Sequence, residues 1–402
     1  MMKKHGLTAP AGFLASGVSA GIKDSGSKDL GMISCPEGAK AAGVFTTNAV
    51  VSAAVEVCRE NLACARCFGV VVNSGNANAC TGKKGLSDAR SMCREAGKAL
   101  KAEESSILAA STGIIGQHLP MQKVRCGIKA SADSLSQSQK AGRDFAESIL
   151  TTDTAAKQYS ETVRLSGKDV TIAGAIKGAG MIAPNMATTL CFLTTDVAIS
   201  KTLLQRALKE AAGESLNKLT VDGHQSTNDT ALILASGKAG NAGINKAGSQ
   251  DYKKFLKTLL SVCRNLTRQM ALDAEGASKI FKVAVSGAAS KKDARKAARA
   301  VANYDLVKCA VNGSDPNWGR IICAIGSCGA KVNVDNITCR LDRLTVFRGG
   351  RPVKFDKKRA EEIVSQKEHT ISIDLGAGSS SDFCWGCDLS KKYVEINADY
   401  HT

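Results

Sequence analysis

Two hydrophobic periodicities alternate along this chain. Compact apolar runs at residues 68–72, 170–173, 190–193, 281–285 and 370–375 predict strands. Residues 87–100, 203–216, 251–270 and 291–302 repeat apolar positions three and four apart and predict helices. In one of these, Leu203, Leu204, Ala207, Leu208 and Ala211 make a single stripe, as core packing requires. Strands interleaved with helices predict an α/β or α+β fold. No Pro/Ser-rich linker and no fixed-period repeat divides the chain, and no apolar window is long enough to span a membrane.

Composition narrows the function classes. Of 402 residues, 44% are hydrophobic and 23% charged, which excludes a globally disordered chain. Lys and Arg number 54 against 37 acidic residues, a balance of +17 that raises nucleic acid as a partner. Two Trp, five Tyr and ten Phe offer few stacking platforms, and the charge is spread evenly, +7 over residues 1–187 and +10 over 188–402. No nucleic-acid partner is therefore expected. The fifteen cysteines would suit a secreted disulfide framework only behind an export signal. Gly6, Thr8, Pro10, Gly12 and Ser16 interrupt the one N-terminal apolar stretch, so a reducing, cytoplasmic compartment with free thiols is expected.

Several motifs match a pattern but lack its context. Gly17-Val18-Ser19-Ala20-Gly21 fits a hydrolase nucleophile elbow, yet too little chain precedes it to build the required sheet; a Gly-rich turn is expected. Gly178-Ala179-Gly180-Met181-Ile182-Ala183 fits a dinucleotide fingerprint, but Pro184 and a strand starting near Leu190 leave no room for a crossover helix. Cys64/Cys67 and Cys384/Cys387 are C-x-x-C pairs at opposite ends of the chain, without zinc-ribbon spacing, and the five histidines show no i, i+4 pair. No metal site is expected.

The segment from Lys177 to Leu190 is chemically distinctive. Glycines and a Pro184-Asn185 kink lead to Ala187 and then Thr188. Such a chain can bend a hydroxyl onto the preceding carbonyl for an N–O acyl shift, and cleavage would leave Thr188 with a free α-amine able to act as base for its own hydroxyl.

This segment resembles the self-cleavage site of the ornithine acetyltransferase family, also called glutamate N-acetyltransferases. Further strings carry the resemblance in order: Thr8-Ala9-Pro10-Ala11-Gly12-Phe13, Ala42-Gly43-Val44-Phe45-Thr46-Thr47-Asn48, Val72-Asn73-Ser74-Gly75-Asn76-Ala77-Asn78-Ala79-Cys80-Thr81-Gly82, Ser111-Thr112-Gly113-Ile114-Ile115-Gly116, Asp315-Pro316-Asn317-Trp318-Gly319-Arg320 and Tyr393-Val394-Glu395-Ile396-Asn397-Ala398-Asp399-Tyr400. They cover nearly the whole chain.

The resemblance implies a four-layer α/β/β/α fold shared with self-cleaving N-terminal-nucleophile aminopeptidases. It implies division between Ala187 and Thr188 into residues 1–187 and 188–402, one intertwined folding unit assembling as an α2β2 heterotetramer. Thr188 matches the nucleophile of a ping-pong acetyl transfer from N2-acetylornithine to glutamate. Thr112 and Gly113 match the oxyanion hole, where a hydroxyl and a backbone N–H stabilise developing charge. Thr151, Lys177, Thr188, Glu275, Asn397 and Thr402 match substrate-binding positions. In this reading the Lys177 cation suits an α-carboxylate, and Glu275 suits ornithine's δ-ammonium. No cofactor is implied, and acetyl-CoA as a further donor stays open. The alternative is an amidohydrolase or aminopeptidase of the same fold, with water as acceptor. Three departures from the family pattern stand out: Thr189 in place of Met, His224-Gln225 in place of Asp-Thr, and Cys384, which completes the second C-x-x-C.

Overall fold

The computed structural model describes residues 6–183 and 189–399. The first part of the chain forms β1 (Leu14–Val18), β2 (Leu30–Phe45), α1 (Ala53–Asn61), β3 (Cys67–Asn76), α2 (Gly82–Leu100), β4 (Ile107–Ile114), α3 (Met121–Asp133), α4 (Gln139–Ser148), β5 (Lys157–Leu165) and β6 (Lys168–Lys177). Then come β7 (Leu190–Thr195), α5 (Lys201–Gly213), β8 (Thr230–Ala235) and α6 (Gln250–Leu272). All five strand runs and all four helical runs read from the sequence are present. The helix expected over 203–216 ends at Gly213, and residues 216–218 form a separate 3-10 turn.

Strands β1–β8 form one sheet in the order β4-β3-β2-β8-β7-β6-β5, with β1 also on β2. Strand β2 explains its shape. Up to Ser34 it pairs with β1 and β3; from Lys40 it pairs with β8. Between these stretches lies Cys35-Pro36-Glu37-Gly38, where the register against β3 breaks. Pro36 cannot donate to a ladder, and Gly38 turns at φ +74°, so the strand kinks and carries the sheet into a second layer.

The period-2 alternation confirms two layers. Ile33, Val70, Val72, Leu108 and Ala110 from one half share a core with Ala175, Leu190, Phe192, Leu232 and Leu234 from the other. Phe145 of α4 meets Phe192 edge-on in this core, with ring centroids 5.3 Å apart. The intervening residues face outward. Met32, Val71, Ile107 and Ala109 pack under α1–α3, while Cys191, Leu193, Ala231 and Ile233 pack under α5 and α6. This is the expected α/β/β/α order. Strands buried on both faces read as continuous apolar runs, as they do here.

The rest of the chain builds a second sheet. It comprises β9 (Ile280–Ala288), α7 (Lys291–Asn303), α8 (Asp305–Asn312), α9 (Trp318–Ser327), β10 (Thr338–Leu341), β11 (Leu344–Arg348), β12 (Arg351–Pro352), α10 (Lys357–Ser365), β13 (Glu368–Asp374), β14 (Ser380–Cys387) and a final helix, α11 (Lys391–Asp399). Its order is β12-β11-β10-β13-β9-β14, and α7–α10 contribute to its own core. All fifteen cysteines lie among the described residues and none is paired; no metal-binding cluster and no helix able to cross a membrane occurs among those residues.

His369 on β13 is buried, stacked on Phe281 of β9, and neither ring nitrogen has a hydrogen-bond partner among the described residues. Burial, with Lys279 adding to it and Asp342 opposing, pushes its pKa down from 6.5 to about 4. The unfolded chain then binds the extra proton between these values, so stability present above pH 6.5 is lost as pH falls toward 4. Urea titrations should show this loss, on the order of 2–3 kcal/mol, and His369→Phe should reduce it; an unchanged profile in the variant would assign the loss elsewhere.

Candidate functional site

Strand ends converge at one edge of the folded sheet. The C-terminal ends of β3, β4 and β6 meet the N-terminal ends of β7 and β8 around a cavity of about 360 Å³. Its lining includes Thr112, Gly113, Thr151, Lys177, Thr189, Asp229, Glu275 and Asn397. Every sequence-predicted site residue among the described ones is therefore in this cavity. Ala187, Thr188 and Thr402 lie outside the described residues; Thr189, the chain neighbour of Thr188, lines the cavity.

An asparagine framework holds the Thr112–Gly113 wall. Gly113 pairs with Gly75 in the parallel β3–β4 ladder at φ +132°. A Cβ at Gly113 would lie 2.3 Å from the Gly75 carbonyl carbon, so only glycine fits. Asn73 Nδ2 donates to Asn76 O at 2.8 Å, and Ser111 Oγ donates to Asn73 Oδ1 at 2.7 Å. From the opposite layer, Asn228 Nδ2 donates to Ala77 O at 2.6 Å and Ser111 O at 2.7 Å. Side-chain amides thus satisfy backbone carbonyls where the ladders end.

The opposite wall carries charge. Lys177 ends β6, and its Nζ donates to Thr151 Oγ1 at 3.0 Å. Beneath them the enclosed Asp153 carboxylate accepts from Gly178 N at 2.7 Å, Lys157 Nζ at 2.7 Å and Thr151 N at 3.2 Å. Lys157 also reaches Asp273 at 2.5 Å, at the end of α6. Two residues on, Glu275 accepts from Asn397 Nδ2 of α11 at 2.8 Å, and its own N–H donates to Ala179 O at 2.9 Å. Gly180 makes this approach possible, since a Cβ there would sit 2.5 Å from both Glu275 carboxylate oxygens. Burial pulls the Lys177 ammonium below the usual lysine range; Asp153 opposes it, Lys157 adds to it, and Asp229 and Glu275 oppose it.

Asp222 fastens the segment around Ile182. It accepts from Ile182 N at 2.9 Å, His224 N at 3.0 Å and the Tyr393 hydroxyl at 3.0 Å. Val221 N donates to Ile182 O at 2.7 Å, so both polar atoms of the Ile182 backbone are held. The Thr189 hydroxyl donates to Lys177 O and is thereby engaged within the fold. Asp229 is buried and its Oδ2 has no partner among the described residues; burial pushes its carboxyl well above the usual range, against Lys177 and Ser226.

Asp153, Lys157, Asp222, Asp229 and Asn228 are the site residues that motif reading passes over. Asp153 lies two residues after Thr151, and Asp229 directly before β8, so proximity to identified positions is the only local signal. Chemically, the cavity offers hydroxyl and amide groups for an oxyanion, a cation for a carboxylate, and a carboxylate for an amine.

The ArgJ family model matches residues 14–402 of this chain. The arginine biosynthesis bifunctional protein ArgJ of Symbiobacterium thermophilum is 46% identical over 99% of this chain and 98% of its own length. Among solved structures, the arginine biosynthesis bifunctional protein of Bacillus halodurans is 40% identical, covering 52% of this chain and 98% of that one at a TM-score of 0.50. The ornithine acetyltransferase of Mycobacterium tuberculosis, complexed with ornithine, is 38% identical over 46% of this chain and 98% of that one, with a TM-score of 0.43.

Asn228→Asp tests the framework. It keeps the shape but replaces the NH2 group that supplies both N–H donors with one carboxylate oxygen facing the carbonyls of Ala77 and Ser111. Urea unfolding should show a loss of roughly 2–4 kcal/mol; a loss under 0.5 kcal/mol, within the usual range for a surface change, would mean that these bonds do not support the wall.

Proposed function

This chain belongs to the ArgJ family, and we propose that it is a self-processing N-acetyltransferase moving acetyl from N2-acetylornithine to glutamate. The observation that carries the reading is the convergence of Thr112, Gly113, Thr151, Lys177, Glu275 and Asn397 on the cavity that Thr189 lines. These residues come from distant parts of the chain and were each matched to a role by sequence alone.

In the proposed mechanism the Thr188 hydroxyl attacks the Ala187 carbonyl, and hydrolysis of the resulting ester divides the chain into residues 1–187 and 188–402. The freed α-amine of Thr188 then acts as base for its hydroxyl. Lys177 and Thr151 receive the substrate α-carboxylate, and Glu275 receives the δ-ammonium of the ornithine side. Attack on the acetyl carbonyl forms the Thr188 ester; the proton from the hydroxyl leaves on the ornithine amine. Thr112 and Gly113 stabilise the oxyanion in both half-reactions. Glutamate then enters, its amine attacks the ester, and Thr188 is restored.

Two observations support the division. The Bacillus halodurans chain covers 52% of this chain while being 98% covered itself, as a fragment cut near its middle would. Strands β7 and β8, on the far side of the cut, are laddered to β6 and β2 on the near side, so both fragments stay in one folded unit. We further propose an α2β2 assembly in the cytoplasm that uses no metal or cofactor. The word bifunctional in the names of relatives supports acetyl-CoA as a second acetyl donor to glutamate.

Purified protein should run as two bands on a denaturing gel and should turn over glutamate with N2-acetylornithine and with acetyl-CoA. Thr188→Ala should remain one full-length band and lose activity; an equally active, uncut variant would overturn the mechanism. Full-rate acetyl release without glutamate would instead favour the hydrolase. Glu275→Gln should raise KM for N2-acetylornithine roughly tenfold or more, and an unchanged KM would remove its role toward the δ-ammonium.

A further inference from the structure

We propose that Asp153 is the positioning residue that keeps Lys177 a cation, and thereby makes the pocket select substrates carrying an α-carboxylate. The proposal rests on the reading of Lys177 and Thr151 as the carboxylate-binding pair.

The geometry singles out Asp153. Its side chain is 0% exposed, yet three hydrogen bonds satisfy its carboxylate. Two of them fix the backbone on either side of the carboxylate site: the N–H of Thr151, and the N–H of Gly178, the residue after Lys177. One carboxylate therefore sets where the Thr151 hydroxyl and the Lys177 ammonium meet, 3.0 Å apart.

The electrostatic setting gives this position a second role. Lys177 shares its surroundings with two other cations, Lys157 and Lys23. Enclosure and like charge both favour the neutral amine, and a neutral amine binds a carboxylate poorly. The anions facing Lys177 are Asp153, Asp229 and Glu275. Glu275 is engaged by Asn397 and is read as the partner of the substrate ammonium. Asp229 is pushed toward its protonated form by burial. Asp273 is joined to Lys157 rather than to Lys177. Asp153 remains as the carboxylate whose charge offsets the cluster, and its pKa stays below the usual range: burial raises it, and Lys177, Lys157 and the Gly178 N–H more than reverse that.

The sign follows from the charge. Without the Asp153 anion Lys177 releases its proton at lower pH, and KM for a carboxylate substrate climbs about tenfold for each pH unit above that transition. Steady-state KM for N2-acetylornithine is measured on processed wild type and Asp153→Asn from pH 6 to 9.5 with saturating glutamate. The inhibition constant of N-acetylputrescine, the same molecule without its α-carboxylate, is measured in parallel.

Wild type should bind N-acetylputrescine at least tenfold more weakly at pH 7, as loss of a charge-assisted contact implies. Asp153→Asn also loses an acceptor for a backbone N–H, so its KM at pH 6, the lowest pH measured, is the baseline against which its rise with pH is read. Its KM should then rise from a lower pH than in wild type, while its N-acetylputrescine constant does not follow. A KM raised equally at every pH, or unchanged at every pH, overturns the proposal. Equal wild-type binding of the two compounds overturns instead the carboxylate reading of Lys177. Should Asp153→Asn fail to fold or process, Lys157→Gln provides the opposite sign: removing a neighbouring cation should move the KM rise to higher pH. A downward shift or no shift in that variant overturns the proposal.

Discussion

The ladder around β7 is the constraint on which the rest depends. All six of its residues are buried, β6 pairs with it antiparallel and β8 parallel, and its two faces belong to different cores. A strand held on four sides cannot slip by one residue without turning Phe192 out of one core and Leu193 out of the other. That lock fixes Leu190 opposite Lys177 and Thr230. Thr230 N donates to Thr189 O at 2.9 Å, and the Thr189 hydroxyl reaches back to Lys177 O. The position at which the chain leaves the cavity at Thr189 is therefore set by the sheet.

Elements with a strong period were legible from the sequence, and so was the two-sided burial of the central strands. The layer crossing was not. A break at Cys35-Pro36-Glu37-Gly38 reads locally as the end of a strand, while β2 runs through it by changing partners. The second sheet was missed in outline because β10–β12 are short and half-exposed, which leaves little pattern to read. At the site, Thr112, Gly113, Thr151, Lys177, Glu275 and Asn397 were legible through the family resemblance. The carboxylates Asp153 and Asp222 were not, because their work is done through backbone N–H groups that no side-chain motif encodes.

The departures from the family pattern find separate places. Thr189 gains a carbonyl partner, Lys177 O, beside the sheet. His224 lies at the rim, exposed, with Nδ1 3.2 Å from Asp222, and Gln225 donates to Thr47 at 2.7 Å. Cys384 and Cys387 are both buried, and burial raises both thiols above their ordinary range, an inert environment rather than a reactive one.

The core shared by the two sheet layers has a consequence for the proposed division after Ala187. Phe145, Val70 and Leu108 before residue 188 meet Phe192, Leu232 and Leu234 after it, an apolar joint between two stretches of chain that are each net basic. Their net charges repel at long range, while this core, the β6–β7 and β2–β8 ladders and the Lys157–Asp273 pair join them. Salt screens the repulsion while sulfate or phosphate strengthens the contact, and cooling weakens it. The apolar part of the joint is thus weakest in cold, dilute buffer.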